Sequence, residues 1–275
     1  MPNFIVGARL HDYGKGTPDE LFGKVSADGF AAVQLAYKKC VPSVKSYADV
    51  TDALVAETVA AEKAHHIQVA VLGTYVELAI NDESRLCNVA DFKSQLAVCK
   101  ALGAGCIGTE TTAMSKQPAG TTRAQAQELL CRSLAEILPA AEALGVTVGI
   151  EPVTYHSMNS AAATRHILDT MRSPNLKVIF DMSNLVSAEN VDAQDRIWYD
   201  MGALLGDQIV AVHFKGQEFA PDGSLLHTSL EESRTDYAGA FAMLRQLPQP
   251  ALPVLREEAV PARAASDIAF MKGFF

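Results

Sequence analysis

Four side chains in the second half of the chain each stand at the tail of a short hydrophobic run. Glu151 follows Val-Thr-Val-Gly-Ile, Asp181 follows Lys-Val-Ile-Phe, His213 follows Ile-Val-Ala-Val, and Glu257 follows Pro-Val-Leu-Arg. The runs are rich in β-branched residues, as buried parallel strands are. A charged group at the C-terminal edge of such a strand cannot enter the core. In a parallel α/β barrel it faces the mouth, where active sites form. Neighbouring strands lie about 4.8 Å apart, so three carboxylates and one imidazole from four successive strands can converge on one ion. Hard oxygen donors with a single imidazole suit one divalent metal, Mn²⁺ first, with Mg²⁺, Co²⁺ or Zn²⁺ also acceptable. Glu258 adjoins Glu257, but a strand's pleat sends neighbours to opposite faces, and Glu257 is taken as the ligand.

Positioning such a set requires strands that alternate with helices, and the chain alternates throughout. Strand-like runs cover 4–8, 31–35, 67–72, 106–109, 147–150, 177–180, 209–212 and 254–256. Helical patterns cover 18–27, 49–65, 89–102, 122–144, 161–171, 193–205, 236–246 and 262–272. Thr17-Pro18 is a start signal, and Gly103 and Gly145 read as helix C-caps. Eight alternations in 275 residues, with no linker between them, predict the α/β class and a single (β/α)8 TIM barrel spanning 1–275. A doubly wound sheet is the rival, but no Gly-x-Gly-x-x-Gly follows the first strand. Two longer connections, 73–88 and 214–235, would lie over the strand ends and cover a substrate.

Composition narrows the function. A formal charge of -9 is unsuited to nucleic acid or an anionic membrane. No run of about 18 apolar residues is present, and the N-terminus lacks a basic segment followed by an apolar one. The five cysteines are scattered without a Cys-x-x-Cys pair, which fits a reducing compartment, so a cytoplasmic protein is expected. Trp198, Tyr199, Phe274 and Phe275 are expected at the surface, where they could seat a homo-oligomer contact.

Further polar residues fall near the expected mouth. Lys215 lies two residues past His213 and so shares its face. Arg9 and His11 end the first strand, and Glu110 ends the fourth. Each is a candidate substrate contact or a satisfied residue of the rim.

Several short motifs now combine: Gly7-Ala8-Arg9-Leu10-His11-Asp12, Gly108-Thr109-Glu110-Thr111, Ile150-Glu151-Pro152-Val153, Phe180-Asp181-Met182-Ser183-Asn184-Leu185 and Val212-His213-Phe214-Lys215-Gly216. In order and register, over nearly the whole chain, they resemble the xylose-isomerase-like sugar phosphate isomerase/epimerase superfamily, which includes ketose 3-epimerases, hydroxypyruvate isomerases and inosose dehydratases. The resemblance implies a TIM barrel whose divalent ion is held by Glu151, Asp181, His213 and Glu257. It implies isomerisation or epimerisation of a sugar, sugar phosphate or polyol-derived ketone through a metal-stabilised enediolate. Glu151 and Glu257 would act from opposite sides of the substrate as acid and base. The chain departs from the ketose epimerases at three places. Asn184 stands where they carry a histidine, His156 where they carry a second glutamate, and Lys215 where an arginine is common. Asn184 and His156 are therefore expected to touch substrate.

Other activities remain in view. An inosose-type dehydratase shares the metal and the enolisation but expels water. A DNA-repair endonuclease on this barrel needs many histidines and a basic groove, whereas this chain is acidic and has seven histidines. A sugar-binding barrel without turnover gains little from a proton-transfer pair.

Overall fold

In the computed structural model, which describes residues 1–275, all eight expected strands form, and helices lie between them. The chain runs β1 (Asn3–Arg9), α1 (Pro18–Ala27), β2 (Ala32–Leu35), the one-turn α2 (Tyr37–Cys40), α3 (Asp52–His65), β3 (Gln68–Gly73), α4 (Ser84–Leu102) and β4 (Cys106–Glu110). It continues α5 (Arg123–Leu144), β5 (Val148–Glu151), α6 (Ala161–Met171), β6 (Leu176–Asp181), α7 (Gln194–Leu205) and β7 (Ile209–Phe214). A hairpin of β8 (Gly216–Phe219) and β9 (Leu225–Thr228) follows, then α8 (Tyr237–Leu244), β10 (Ala251–Arg256) and α9 (Ala264–Lys272). Strands β1, β10, β7, β6, β5, β4, β3 and β2 close, in that order, into one parallel barrel. The first and last join from Asn3 opposite Ala251 to Ala8 opposite Arg256. This is a (β/α)8 TIM barrel of the α/β class.

Local chemistry sets most boundaries. Thr17 and Glu20 form a reciprocal capping box at the start of α1, with Pro18 in its first turn. Gly103 and Gly145 end α4 and α5 in the left-handed conformation. Two helix starts and one connection differ from the sequence expectation for identifiable local reasons. Helix α4 begins at Ser84 rather than at 89, because Asp82 accepts the Ser84 N–H at 2.8 Å and turns the chain early. Helix α3 begins at Asp52, capped by Thr51, while Asp49 closes a separate turn by accepting the Ser46 N–H at 2.7 Å. The connection over 214–235 is not a plain loop, since it holds the β8–β9 hairpin with Gly216 opposite Thr228.

The barrel interior is filled by a few large side chains set against small ones. Ala32, Ala70, Val71, Cys106, Ile179, Ala211 and Leu255 form one buried cluster inside the strands. Ile179 uses the space left by two glycines. A β-carbon at Gly108 would lie 2.5 Å from Ile179 Cδ1, and one at Gly149 would lie 2.8 Å from Ile179 Cγ1. A larger core fills the layer between strands and helices. Three of the four aromatics expected at the surface belong to this layer. Trp198 is 3% exposed and packs edge-on against Phe180, and Phe274 and Phe275 close a cluster with Phe4, Phe214 and Phe241. Trp198 is buried because it lies on the inward face of α7, whereas Phe274 and Phe275 are only partly buried where the tail packs against the core. Only Tyr199, 67% exposed, stands where expected. No helix is long and apolar enough to cross a membrane. No cysteine is paired, and burial pushes the Cys40 and Cys99 thiols up to about 12, which leaves them unreactive.

The packing around Ile179 makes a testable coupling. Gly108→Ala should cost about 1–3 kcal/mol by overpacking. In an Ile179→Val background, which deletes the clashing Cδ1, the cost should fall by roughly 1 kcal/mol. Urea unfolding of the four proteins measures both numbers, and equal costs in the two backgrounds would contradict the packing described.

Candidate metal centre

Strands β5, β6, β7 and β10 are consecutive in the barrel wall, so their C-terminal tips share one side of the mouth. In register, Asp181 lies opposite His213, and Glu110 lies opposite Glu151. Glu257 directly follows β10 and extends its ladder, with its N–H donating to the Phe214 carbonyl at 3.0 Å. Glu151, Asp181, His213 and Glu257 are all buried, none more than 4% exposed. One ligand atom each from Glu151, Asp181 and His213 lie within 4.8 Å of one another. Glu257 stands just outside this tight triad, but its Oε1 is 3.4 Å from His213 Nδ1, and Glu151 Oε2 is 3.1 Å from the same nitrogen. Neither His213 ring nitrogen has an aligned hydrogen-bond partner. The alternation of the pleat holds here. Arg256 points out under α9, Glu257 points in, and Glu258, whose φ is 53°, turns away to meet Arg9 at 2.8 Å.

Three buried carboxylates repel one another unless cations offset them. Lys215 supplies one charge, with Nζ 2.8 Å from Asp181 Oδ2 and 3.5 Å from Glu257 Oε2. Ser183 Oγ and Tyr237 Oη donate to the Lys215 carbonyl at 2.7 and 2.8 Å and fix its backbone. Burial alone would lower the pKa of Lys215, yet Asp181 and Glu257 outweigh it and hold the ammonium charged. The same balance acts on His213. Burial pulls its pKa down, but Glu257 and Glu151 raise it to about 9, so the residues by themselves favour an imidazolium. Burial pushes the Glu257 carboxyl up, and His213, Lys215 and Arg9 together overcome this and bring it to about 2. Burial raises Asp181, with Lys215 opposing.

The remaining expected residues divide. Asn184 turns its amide onto Glu151 Oε1 at 2.5 Å, while its backbone N–H donates to Asp181 Oδ1 at 2.9 Å. It thereby orients two of the triad. Glu110 reaches the same cavity, where burial and the Glu151 charge raise its carboxyl to about 7. His156 lies one step further out, with Nε2 3.8 Å from Glu110 Oε2. Arg9 is committed to Asp12 at 2.7 Å and to Glu258, and it approaches Glu257 only to 3.9 Å. His11 presents its ring edge to Tyr75 at the rim.

Three residues of the mouth escaped the sequence reading. Gln34, buried on β2, donates from Nε2 to Tyr75 Oη at 2.8 Å and to Glu257 Oε1 at 3.4 Å. Tyr75 has a φ of 53°, a left-handed conformation costing roughly 1–3 kcal/mol, which the Gln34 bond and the overlying Lys39 ammonium help to hold. Lys39 Nζ is 3.2 Å from the centroid of that ring. Gln34 alone left a signal, a polar residue inside the apolar run Ala32-Val33-Gln34-Leu35.

Beneath the mouth, Arg256 Nε pairs with Asp267 Oδ2 of α9 at 2.8 Å, and both side chains are at most 2% exposed. Arg256 also donates to the Glu257 carbonyl. The outer helix is thus bonded to the backbone that carries Glu257.

With this geometry the chain can be set beside known proteins. A model of the xylose isomerase-like TIM barrel family matches residues 22–273. The chain belongs to that family. Its barrel is similar to several solved structures, although no curated protein sequence matches it. Against 3-keto-D-glucoside 4-epimerase, YcjR, from E. coli, the TM-score is 0.73 at 17% identity, covering 98% of this chain and 100% of that one. Against D-psicose 3-epimerase the TM-score is 0.71 at 16% identity, covering 100% and 98%. Against the IOLI protein with a bound zinc atom it is 0.74 at 16% identity, covering 100% and 96%. At these identities the likeness speaks for a shared xylose isomerase-like fold.

Within this family barrel, the Arg256–Asp267 pair gives a direct test of how the mouth is braced. Asp267→Ala leaves a guanidinium buried without its partner and should cost about 3–5 kcal/mol. Replacing both residues, Arg256→Met with Asp267→Leu, should restore most of that loss. Thermal or urea unfolding reads both outcomes.

Proposed function

We propose that the chain is a divalent-metal-dependent isomerase or epimerase acting on a sugar or related polyhydroxylated ketone. The observation that carries this reading is the buried Glu151–Asp181–His213 triad at adjacent strand ends, with Glu257 facing the same imidazole. The donors fit a small divalent cation. They are mainly hard oxygens with one imidazole whose nitrogens lack aligned partners, and their charge calls for a cation. Glu151, Asp181 and His213 would hold the ion with Glu257 as fourth ligand, Mn²⁺ being the preferred occupant and Mg²⁺, Co²⁺ or Zn²⁺ alternatives. When bound, such an ion polarises a carbonyl and makes the neighbouring C–H acidic.

The side chains supply the rest. Glu257, ionised at neutral pH, takes the proton from the carbon beside the carbonyl at one of its carboxylate oxygens. Glu151, from the other end of the four-strand arc, returns a proton from Oε2, since Asn184 occupies its Oε1. Return to the opposite face of the same carbon inverts it, whereas return to the neighbouring carbon, with the first carbon's hydroxyl proton passing to the other oxygen, isomerises the sugar. The Lys215 ammonium steadies negative charge that develops on substrate oxygen. Arg9 and His11 bound the far rim, and Glu110 and His156 face the body of the substrate. A mouth lined by carboxylates suits a neutral polyol and repels a nucleic-acid backbone.

Two measurements test this. Titration calorimetry should find one equivalent of divalent ion per chain, binding with proton release because His213 must lose a proton to ligate. With the His213 pKa near 9, affinity should climb about tenfold per pH unit from neutrality and level off as pH passes about 9. A pH-independent affinity would remove His213 from the ligand set. Metal-loaded protein incubated with a panel of ketoses in D₂O should incorporate deuterium next to the carbonyl and conserve the substrate's elements otherwise. Glu151→Gln should slow exchange on the order of 10²–10⁴-fold. Loss of water from the product would indicate a dehydratase, and bound metal without exchange in any sugar would defeat the proposal.

A further inference from the structure

Gln34 is the polar exception in β2, and the neighbouring strand is modified to admit it. Side chains alternate faces along a strand, so Gln34 shares the inward face with Ala32, a member of the cluster inside the barrel. Strand β3 runs beside β2 with one residue to spare. Val33 lies opposite Val69, yet Gln34 lies opposite Val71, so Ala70 is passed over. A one-residue slip exchanges the faces of every residue beyond it. Val71 thereby joins Ala70 inside the barrel, Leu72 goes to the outer core, and Gly73 comes to the mouth. In unbroken register Leu72 would stand inward beside Gln34. Gly73 leaves that space open, since a β-carbon there would lie 3.5 Å from Gln34 Cγ and press on Tyr75 Cε2 at 3.2 Å.

The amide that fills this space is held from one side and points to the other. Gln34 Nε2 carries two protons and donates to Tyr75 Oη at 2.8 Å and to Glu257 Oε1 at 3.4 Å. Tyr75 is itself fixed through the residue before it. Thr74 donates from its N–H and its Oγ1 to the Gly108 carbonyl at 2.9 and 3.2 Å, and the Tyr47 hydroxyl donates to the Thr74 carbonyl. The bond from Gln34 is the one aligned hydrogen bond that reaches the Glu257 carboxylate. Lys215 and Arg9 approach the other oxygen, Oε2, only to 3.5 and 3.9 Å. Glu151 is treated alike, with the Asn184 amide on its Oε1 and Oε2 left open. A primary amide fixes one oxygen of a carboxylate without adding charge to the site.

We propose that Gln34 is a positioning residue for Glu257. Tyr75 sets the angle of the amide, the amide holds Oε1, and Oε2 is left as the oxygen that takes the proton. The proton passes from the carbon beside the substrate carbonyl to Oε2, and the electron pair of the broken bond stays with the substrate. The inference rests on the isomerase or epimerase reading, and it assigns which oxygen of the base works and what aims it.

Side-chain amide ¹⁵N–¹H spectra of the full chain, with Gln34 assigned through Gln34→Met, read the geometry apart from any activity. Glu257→Gln should move one Gln34 amide proton and Tyr75→Phe the other. Gln34 signals unmoved by Glu257→Gln overturn the inference. Deuterium exchange into a ketose by the Mg²⁺-loaded protein gives the second arm. Gln34→Met keeps the length of the side chain and removes the donor. It should lower kcat on the order of 10–100-fold, the loss of one hydrogen bond to a charged group, with KM nearly unchanged. Tyr75→Phe should lower kcat less, and adding it to Gln34→Met should cost nothing further, because the two act in series. An unchanged kcat in Gln34→Met, or losses that multiply in the double variant, overturns the inference. Should Gln34→Met fail to fold, Tyr75→Phe, which deletes one hydroxyl, carries the kcat test. If no ketose exchanges with the unaltered chain, the reaction and the duty of Oε2 fall together, while moved amide signals uphold the grip of Gln34 on Glu257.

Discussion

Buried negative charge is the constraint around which this barrel's mouth is organised. Glu151, Asp181 and Glu257 are each at most 4% exposed, and none could remain ionised there alone. Lys215 and His213 answer that charge from β7 and the residue that follows it, which is why both have pKa values raised against the pull of burial. A lysine at Asp181 and an imidazole between two glutamates set positive groups among the three carboxyl groups. The same field that would draw a divalent cation also charges the imidazole, so under the proposed function ion and proton would compete for His213.

The next layer of residues serves this centre by restricting motion. Asn184 holds Glu151, Gln34 leans on Glu257, and Ser183 with Tyr237 fixes the carbonyl of Lys215. These contacts bring together β2, β5, β6, β7 and α8, segments far apart in the chain. Most of the groups involved have little freedom once the barrel closes. The proposed proton transfers over short distances would need groups held in this way.

Much of this was legible in the linear order of residues, and the reason is periodicity. A short β-branched run ending in an acid or imidazole declares both a strand and its C-terminal edge, so Glu151, Asp181, His213 and Glu257 could be grouped before any coordinates. The hairpin of β8 and β9 was not legible, because its strands are four residues each and partly polar, with no apolar alternation to mark them. Tyr75 and Lys39 were hidden for a different reason. Their meeting depends on a left-handed backbone turn after β3 and on the closeness of two connections, neither of which leaves a local pattern. The exposed setting expected for Trp198 failed because one aromatic in a helix says nothing of which face it occupies until its neighbours are known.

Arg256 points away from the chemistry yet touches it through the backbone. By tying Asp267 of α9 to the carbonyl of Glu257, it makes the last helix a structural stakeholder in the mouth. A change in α9 that removes Asp267 would strand a buried guanidinium behind the closing strand, so the outermost layer of the wall has leverage on the opening without supplying a residue that lines it.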